Sequence, residues 1–233
     1  NVLAGPAVGM FFSELGAKVT KVENKKTKGD LTRKWLLPNE KPSSSSAYFS
    51  SVNYKKVHLF LDYNNKNDIL KIQNLIKESD IVITNFKSGD AEKFNLTFED
   101  CKALNSSIIY AHLGGFKSNI KRVAFDVVLQ AETGFMSMNG EPNRDPVKMP
   151  VALIDILAAH QMKEGILIAL INRNTNLNAT KVTTTLEESA IASLANQASN
   201  YLMLNHIARP LGTKHPNIAP YGDMITTEDG DYL

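Results

Sequence analysis

Hydrophobic residues along the chain recur at two spacings, one typical of amphipathic helices and one typical of buried strands. One helical face is formed by Val8, Phe11, Phe12 and Leu15. Gly16 follows this face at the position where a helix commonly ends. On these patterns we predict strands at 18–23, 57–61, 81–83, 108–111 and 181–186, and helices at 6–15, 68–77, 101–104, 125–137, 156–172 and 187–206.

The alternation of short apolar strands with helices indicates the fold class. Parallel strands joined by helices are usually covered on both faces, so the sequence predicts an α/β fold. We expect a Rossmann-like parallel sheet with helices on both faces, formed by a large domain over residues 1–207. Residues 166–171 are wholly apolar, and this half of the predicted helix is therefore expected to be deeply buried.

The composition changes after Arg209 to proline, glycine, histidine and asparagine. We assign residues 208–233 to a linker and the start of a smaller domain. Residues 224–233 read as a strand, an Asp-Gly turn and the beginning of a return strand. Because a domain seldom leaves such an edge unpaired, we expect the protein to continue past Leu233. The serine run at 43–46 is expected to form a flexible loop.

Charge and cysteine content exclude several classes of partner. A formal charge of +2 provides no general basic field, so no nucleic-acid partner is expected. No apolar run reaches the length of a membrane span, so no membrane partner is expected. Cys101 is the only cysteine and cannot form an internal disulfide, which favours an intracellular setting. In a eukaryote this would be the cytoplasm, the mitochondrion or the peroxisome.

Asp155 is a single carboxylate within the segment PVALIDILAA at 150–159. A carboxylate among apolar residues is poorly hydrated, and desolvation raises its pKa. We therefore expect Asp155 to be buried against a partner, protonated, or held for chemistry. The alternative is a helix N-cap, because aspartate is a favoured residue immediately before a helix.

The first residues invite a dinucleotide-binding interpretation, since a glycine turn, a helix, a strand and Glu23 follow one another in Rossmann order. Gly5 and Gly9 do not give the G-x-G-x-x-G spacing of that motif. Pro6 also lacks an N–H donor that a phosphate would need at the helix start. These two features disfavour NAD binding.

A set of motifs in collinear order resembles the class III CoA-transferases, the family of formyl-CoA transferase and carnitine CoA-transferase. The matching segments are AGP at 4–6, GDLTR at 29–33, NYKKVHLFLD at 53–62, DIVITNFKSG at 80–89, QAETG at 130–134 and HPNIAPY at 215–221. Each motif is weak alone, but together they span the chain. Asp155 falls at the position of the family's catalytic aspartate.

The resemblance implies that Asp155 attacks an acyl-CoA and passes through an aspartyl-CoA thioester. It implies acyl-CoA and carboxylic acid substrates, no tightly bound cofactor, no metal, and an interlocked homodimer. The phosphates of CoA need cationic side chains to bind them. The resemblance implies that these side chains are Arg33, Lys87 and Lys93. It likewise implies that Ala4, Leu61 and Asn85 line the groove that binds the adenine and pantetheine parts of CoA.

Two alternatives remain open beside CoA transfer. The family includes α-methylacyl-CoA racemases, whose histidine in a Gly-His-Asp run exchanges a proton. Here Phe125 occupies that position before Asp126 and cannot carry a proton, which disfavours racemisation. His160, five residues after Asp155, is off the helical neighbour spacings and is not a replacement. The second alternative is a CoA-binding module without catalytic activity.

Overall fold

The computed structural model describes residues 1–41 and 45–232. The predicted serine loop lies partly outside the described residues, because Ser43 and Ser44 are not among them. Ser46 is the N-cap of a short helix, and its side chain accepts a hydrogen bond from the N–H of Phe49.

In the described part of the chain, consecutive strands are separated by one to three α-helices. The strands are β1 (Thr20–Asn24), β2 (Val57–Leu61), β3 (Ile81–Thr84), β4 (Ile109–Gly114) and β5 (Thr180–Thr185). The α-helices are α1 (Ala4–Glu14), α2 (Ala47–Ser50), α3 (Lys66–Lys77), α4 (Asp90–Phe94), α5 (Phe98–Leu104), α6 (Asp126–Glu132), α7 (Phe135–Met138), α8 (Leu153–Asn172), α9 (Leu186–Ala192) and α10 (Asn196–Leu204). Short 3-10 helices occur at Lys25–Thr27 and Leu31–Lys34.

All strand pairs within the two sheets are parallel. β1 pairs with β2, and Val22 lies opposite Leu59. In the other sheet the order is β3-β4-β5, with Ala111 of β4 between Ile83 and Val182. The predicted α/β architecture with parallel strands is confirmed.

Alternate side chains at β4 enter two different cores, because successive residues of a strand point to opposite faces. Ile109, Ala111 and Leu113 pack with α1, α6, α8 and α9. Ile108, just before the strand, and Tyr110 pack instead with α3 and α5. The helices therefore cover both faces of this sheet, as predicted.

Helix α8 runs antiparallel to β5 and lies against it. A Cβ added at Gly165 would lie 2.7 Å from Val182 Cγ1, so the helix and strand are in close contact there. One turn earlier in the helix, Gln161 Oε1 is 3.5 Å from Thr184 Oγ1, further along the strand. The first turn of α8 therefore lies at the carboxyl edge of the sheet, where ligands of open α/β folds usually bind.

Two helices predicted as continuous are each broken. The predicted helix at 125–137 is interrupted at Gly134, whose φ of 90° is a left-handed conformation. The predicted helix at 187–206 is interrupted at Ala195, which has φ 49° and ψ −118°. The first helix of each pair, α6 or α9, ends after seven residues, and a separate helix begins after the break.

The prediction that the C-terminal half of α8 is deeply buried was wrong. Ile168 and Ile171 are 59% and 68% exposed. The buried residues of the helix lie mainly in its first half, where Ile154, Ala158 and Met162 face the core. A wholly apolar segment does not reveal which of its faces meets the rest of the protein.

Between α10 and Tyr232 the described residues form one isolated antiparallel bridge, which joins Thr226 to Tyr232. This bridge is at the position of the predicted Asp-Gly hairpin; Leu233 lies outside the described residues. No helix in the described ranges has the length and hydrophobicity that crossing a membrane requires.

Candidate functional site

Asp155 is the third residue of α8 rather than the residue before it. The helix begins at Leu153, after Ala152, and the side chain at the N-cap position makes no capping hydrogen bond. The N-cap interpretation of Asp155 was therefore wrong. Leu153 and Ile154 before it are already helical, and another carboxylate caps the helix.

The carboxylate of Asp155 is nearly buried and unpaired. The residue is 8% exposed, and within residues 1–41 and 45–232 no hydrogen bond or ion pair reaches its side-chain oxygens. Burial, and secondly the negative charge of Asp126, raise the pKa of Asp155 to about 7. At neutral pH the group is therefore partly ionised but poorly hydrated, which favours reaction as a nucleophile.

The capping carboxylate belongs to Asp126, the first residue of α6. Its Oδ1 accepts a hydrogen bond from the N–H of Ile154 at 2.7 Å and a longer one from the N–H of Asp155 at 3.4 Å. In the sequence, Asp126 stands out only as the neighbour of Phe125. Its position at the aspartate of the family's Gly-His-Asp run is the one sequence signal that Asp126 has a role. The residues that it contacts could not be predicted, because they are 28 and 29 residues away.

The start of α1 lies beside the start of α8, since the amino group of Asn1 is within electrostatic range of Asp155. Further along the two helices, Lys163 Nζ of α8 is 5.4 Å from the ring centroid of Phe11 on α1. No side chain caps α1, as far as the described residues show. Asn85, directly after β3, contacts the segment before α1: its Nδ2 lies 3.3 Å from the carbonyl oxygen of Asn1. The structure thus brings Ala4, Asn85 and Asp155 to one edge of the fold.

The first turn of α1 is held by the segment N-Y-K-K at 53–56. Lys56 Nζ donates to the carbonyl oxygens of Pro6 at 2.7 Å and Val52 at 2.6 Å, and to Asn53 Oδ1 at 3.0 Å. Asn53 in turn donates to the carbonyl oxygen of Phe49. The asparagine and lysine of this motif therefore fix the helix start that the resemblance assigns to CoA.

Arg33 lies inside the protein and pairs with a buried carboxylate. Its Nε and Nη2 donate to the two oxygens of Glu23 at 2.8 and 2.6 Å, and its guanidinium carbon is 3.8 Å from the ring centroid of Phe49. Burial raises the pKa of Glu23, but hydrogen bonds from Arg33, the Asp30 N–H and His58 outweigh burial and leave the pKa below its ordinary value. A phosphate that binds to Arg33 would have to share the guanidinium group with Glu23.

The two predicted lysines are exposed, and Leu61 is buried. Lys87 follows β3, and Lys93 lies on α4 with its Nζ 5.5 Å from the ring centroid of Phe94. Lys93 also lines a cavity of about 520 Å³, together with Tyr63 and Phe94. Leu61, at the end of β2, packs into the core beneath this region.

Tyr48, on α2, was missed by sequence analysis. Its pKa is raised by burial and then by the negative charges of Asp155, Asp126 and Asp30, so its phenol lies within electrostatic range of these carboxylates. Its ring packs edge-on against Trp35, with centroids 5.0 Å apart. A tyrosine following a serine run gives no sequence signal of this proximity.

Comparison with known proteins identifies related chains. The model of the family described as CoA-transferase family III matches residues 1–233. The chain is 34% identical over 237 residues to the succinate–glutarate CoA-transferase of Agrobacterium fabrum, an alignment that covers 99% of this chain and 59% of that protein. It is 31% identical over 233 residues to the succinyl-CoA:glutarate CoA-transferase of Homo sapiens, covering 99% of this chain and 52% of that protein.

A solved structure gives the same result. The crystal structure of a CAIB/BAIF family protein from Brucella suis matches with a TM-score of 0.88 at 36% sequence identity, covering 100% of this chain and 62% of that chain. The present chain therefore spans only about half to three fifths of the length of these curated relatives.

Proposed function

Because the chain belongs to CoA-transferase family III, we propose that the protein containing it moves CoA from an acyl-CoA donor to a carboxylate acceptor. Asp155 is the proposed nucleophile. The observation that supports this role is a nearly buried, unpaired carboxylate at the carboxyl edge of the sheet, with a pKa raised to about 7. A structural carboxylate at this depth would be expected to have a hydrogen-bonded or charged partner.

The proposed reaction has two symmetrical halves. A carboxylate oxygen of Asp155 attacks the thioester carbonyl of the donor, which gives a mixed anhydride and CoA thiolate. The thiolate attacks the aspartyl carbonyl of the anhydride, releases the donor carboxylate and leaves an aspartyl-CoA thioester. The acceptor carboxylate then attacks this thioester to form a second anhydride, and the thiolate attacks its acyl carbonyl. The products are the new acyl-CoA and the regenerated carboxylate of Asp155.

The surroundings of Asp155 suit this chemistry. A carboxylate with little hydration loses little solvation on attack, so it is a better nucleophile than an exposed one. Burial also protects an anhydride or thioester from water. Ala4 and Asn85 lie at the same edge, and we propose that the pantetheine arm approaches Asp155 along them.

For the phosphates of CoA we propose Lys87 and Lys93, which are exposed, with Arg33 as a further ligand that stays paired with Glu23. Lys93 beside the cavity at Tyr63 and Phe94 places a cation next to aromatic rings. Aromatic faces and a cation together fit a phosphorylated nucleotide. Leu61 supports this region from the core side.

The names of the relatives suggest the first substrates to assay. Succinyl-CoA as donor and glutarate as acceptor are the substrates named for the human protein, and we propose a dicarboxylate acceptor for the present protein. We also propose an interlocked homodimer for the full-length protein, on the family resemblance alone. The division into a large domain at 1–207 and a smaller one from 208 belongs to the same proposal.

Mass spectrometry of the full-length protein after incubation with succinyl-CoA tests the function. We expect a CoA-sized adduct on the peptide that contains Asp155, and none in Asp155→Asn. Asp145→Asn, which removes an exposed carboxylate, is the matched control and should form the adduct. Full transfer activity in Asp155→Asn would overturn the assignment. Deuterium incorporation at the α-carbon of the acyl-CoA without a carboxylate acceptor would indicate a racemase. Saturable binding of CoA without any turnover would indicate an inactive CoA-binding module.

A further inference from the structure

We propose that Asp126 and Gln130, one turn apart on α6, are positioning residues: Gln130 orients Asp126, and Asp126 holds the first turn of α8 and places its carboxylate beside Asp155. This inference rests on the proposed role of Asp155 as nucleophile. Neither residue has a role in the reaction steps given above.

Asp126 links α6 to α8 through one of its carboxylate oxygens. Oδ1 accepts from the N–H groups of Ile154 and Asp155, in the first turn of α8. A carboxylate at a helix N-terminus satisfies N–H groups that have no partner within the helix and interacts favourably with the helix dipole. The position of the Asp155 backbone therefore depends directly on Asp126.

Gln130 fixes the orientation of Asp126. It is fully buried, and its Nε2 donates to Asp126 Oδ2 at 2.6 Å and, more weakly, to the carbonyl oxygen of Val151 at 3.3 Å. Its Oε1 accepts from the N–H of Met149 at 2.8 Å. Both amide hydrogens and the amide oxygen are therefore used, so only one orientation of the amide satisfies all three partners. Gln130 thereby ties the segment before α8 to the residue that caps it.

The same contacts bring a second negative charge next to Asp155. Among the described side chains, the charge that acts on Asp155 is that of Asp126 on α6. The amino group of Asn1 contributes little at neutral pH, because burial lowers its pKa to about 5. The phenol of Tyr48 on α2 is a further titratable group that the charges of Asp155 and Asp126 affect. Because Gln130 is neutral, it holds Asp126 without neutralising it. The charge of Asp126 therefore favours the protonated form of Asp155, whereas its hydrogen bonds only fix the backbone.

The substitutions Asp126→Asn and Gln130→Met together separate these two effects in the full-length protein. In Asp126→Asn an amide oxygen can still accept from the N–H groups of α8, but the charge is lost, and so is the hydrogen bond from Gln130, because the new NH2 group faces Gln130 Nε2. Gln130→Met loses that hydrogen bond and keeps the charge. The first readout is the labelling of Asp155 by a carbodiimide, which reacts with protonated carboxyl groups, mapped by mass spectrometry across pH. We expect the midpoint of the labelling profile to move down by about one pH unit, a tenfold fall in proton affinity. The acidic limb of aspartyl-CoA adduct formation should move in the same direction.

Glu132→Gln is the matched control, since it removes an exposed carboxylate from the same helix, and its profile should remain that of the wild type. Asp126→Glu should restore the wild-type midpoint. Should Asp126→Asn fail to fold, Asp126→Ser supplies a smaller neutral acceptor. Gln130→Met keeps the charge of Asp126 but frees its orientation, so we expect slower adduct formation with a nearly unchanged midpoint.

The labelling readout requires no CoA chemistry, so it is informative whether or not the protein is a transferase. An unchanged labelling midpoint in folded Asp126→Asn, with adduct formation intact, would overturn this inference and leave the proposed function standing. If the wild type forms no adduct but the labelling midpoint still moves, the proposed function fails while the effect of Asp126 on the protonation of Asp155 is retained.

Discussion

The ammonium group of Lys56 donates to the carbonyl oxygen of Pro6 at 2.7 Å, across 50 residues of sequence. The carbonyl oxygen of Val52 and Asn53 Oδ1 accept its other two hydrogens, so the three donors of the ammonium group are all used. One lysine therefore joins the loop before β2 to the first turn of α1. That turn begins with Ala4, one of the residues that the family resemblance assigns to CoA.

Replacing Lys56 by methionine should destabilise the fold. The substitution keeps most of the side-chain length but removes the hydrogen bonds that Lys56 donates to three acceptors, and we expect a loss of about 2–4 kcal/mol in the free energy of unfolding. Urea unfolding of the full-length protein measures the change. Lys18→Met, at an exposed lysine before β1, is the control and should change stability by less than about 0.5 kcal/mol. Equal midpoints for the two variants would contradict the structural role of Lys56.

Gly5→Ala should separate stability from CoA binding. A Cβ at Gly5 would meet no atom within 4 Å, and alanine is the better helix former, so we expect a gain of about 0.5 kcal/mol in the free energy of unfolding. If CoA approaches the start of α1, the added methyl group obstructs it, and the Kd for CoA should rise several-fold. Calorimetry and thermal unfolding measure the two effects.

Gly16→Ala is the matched control for this prediction. Gly16 also has open space around it, but its φ of 95° is unfavourable for alanine. We expect this variant to lose about 1 kcal/mol of stability while keeping its affinity for CoA. A Gly5→Ala protein that binds CoA as tightly as the wild type would argue against an approach along α1.

The elements themselves were largely predictable because they depend on local pattern. Strand β2 begins and ends where the apolar run at 57–61 predicted, since a strand is specified by neighbouring residues. The breaks at Gly134 and Ala195 were not predicted. A glycine marks the first break, but glycine also occurs within helices, and an alanine with positive φ has no sequence signature. Tertiary contacts impose such turns.

The candidate site was predictable only in part, for the same reason. The burial of Asp155 follows from its immediate neighbours, whereas its relation to Asp126 depends on contacts across 28 residues or more. The partner of Arg33 could not be read from the sequence either. Glu23 and Arg33 are ten residues apart on different elements, and their pairing requires the turn at Gly29, where a Cβ would lie 2.5 Å from Glu23 Oε2. Charge patterns do not reveal which of several lysines and carboxylates meet.

Asp30 should make stability fall at acidic pH. Burial raises the pKa of Asp30, but the ion pair with Lys21 at 2.8 Å and hydrogen bonds including one from Thr32 outweigh burial, and the pKa is about 2. The folded pKa is below the unfolded value of about 3.9, so the contribution of Asp30 is present above pH 4 and is lost as the pH falls towards 2.

We therefore expect Asp30→Asn to be about 2 kcal/mol less stable than the wild type at pH 7, with the difference shrinking towards pH 2. Urea unfolding at several pH values measures this trend. Asp145→Asn, at an exposed position, is the control and should show no such trend. A difference between Asp30→Asn and the wild type that stays constant from pH 7 to pH 2 would show that the Asp30 charge is not what stabilises the fold.

Lys93→Ala tests the proposed phosphate contacts of CoA. The side chain is exposed beside an aromatic cavity, so its removal should leave the free energy of unfolding within about 0.5 kcal/mol of the wild type. If its ammonium group contacts a phosphate of CoA, the Kd should rise about fivefold at low salt, the effect of losing one exposed ion pair of about 1 kcal/mol. The difference should diminish in 0.5 M salt, because added ions screen exposed charges.

Lys102→Ala is the control for this experiment. Lys102 is also an exposed lysine near an aromatic ring, that of Phe98, but it lies on α5 and faces Glu99. Removing it changes the net charge by the same amount, so any general electrostatic attraction of CoA falls equally in both variants. A larger loss of affinity in Lys93→Ala therefore indicates a local contact, and equal losses in both variants would remove Lys93 from the proposed CoA site.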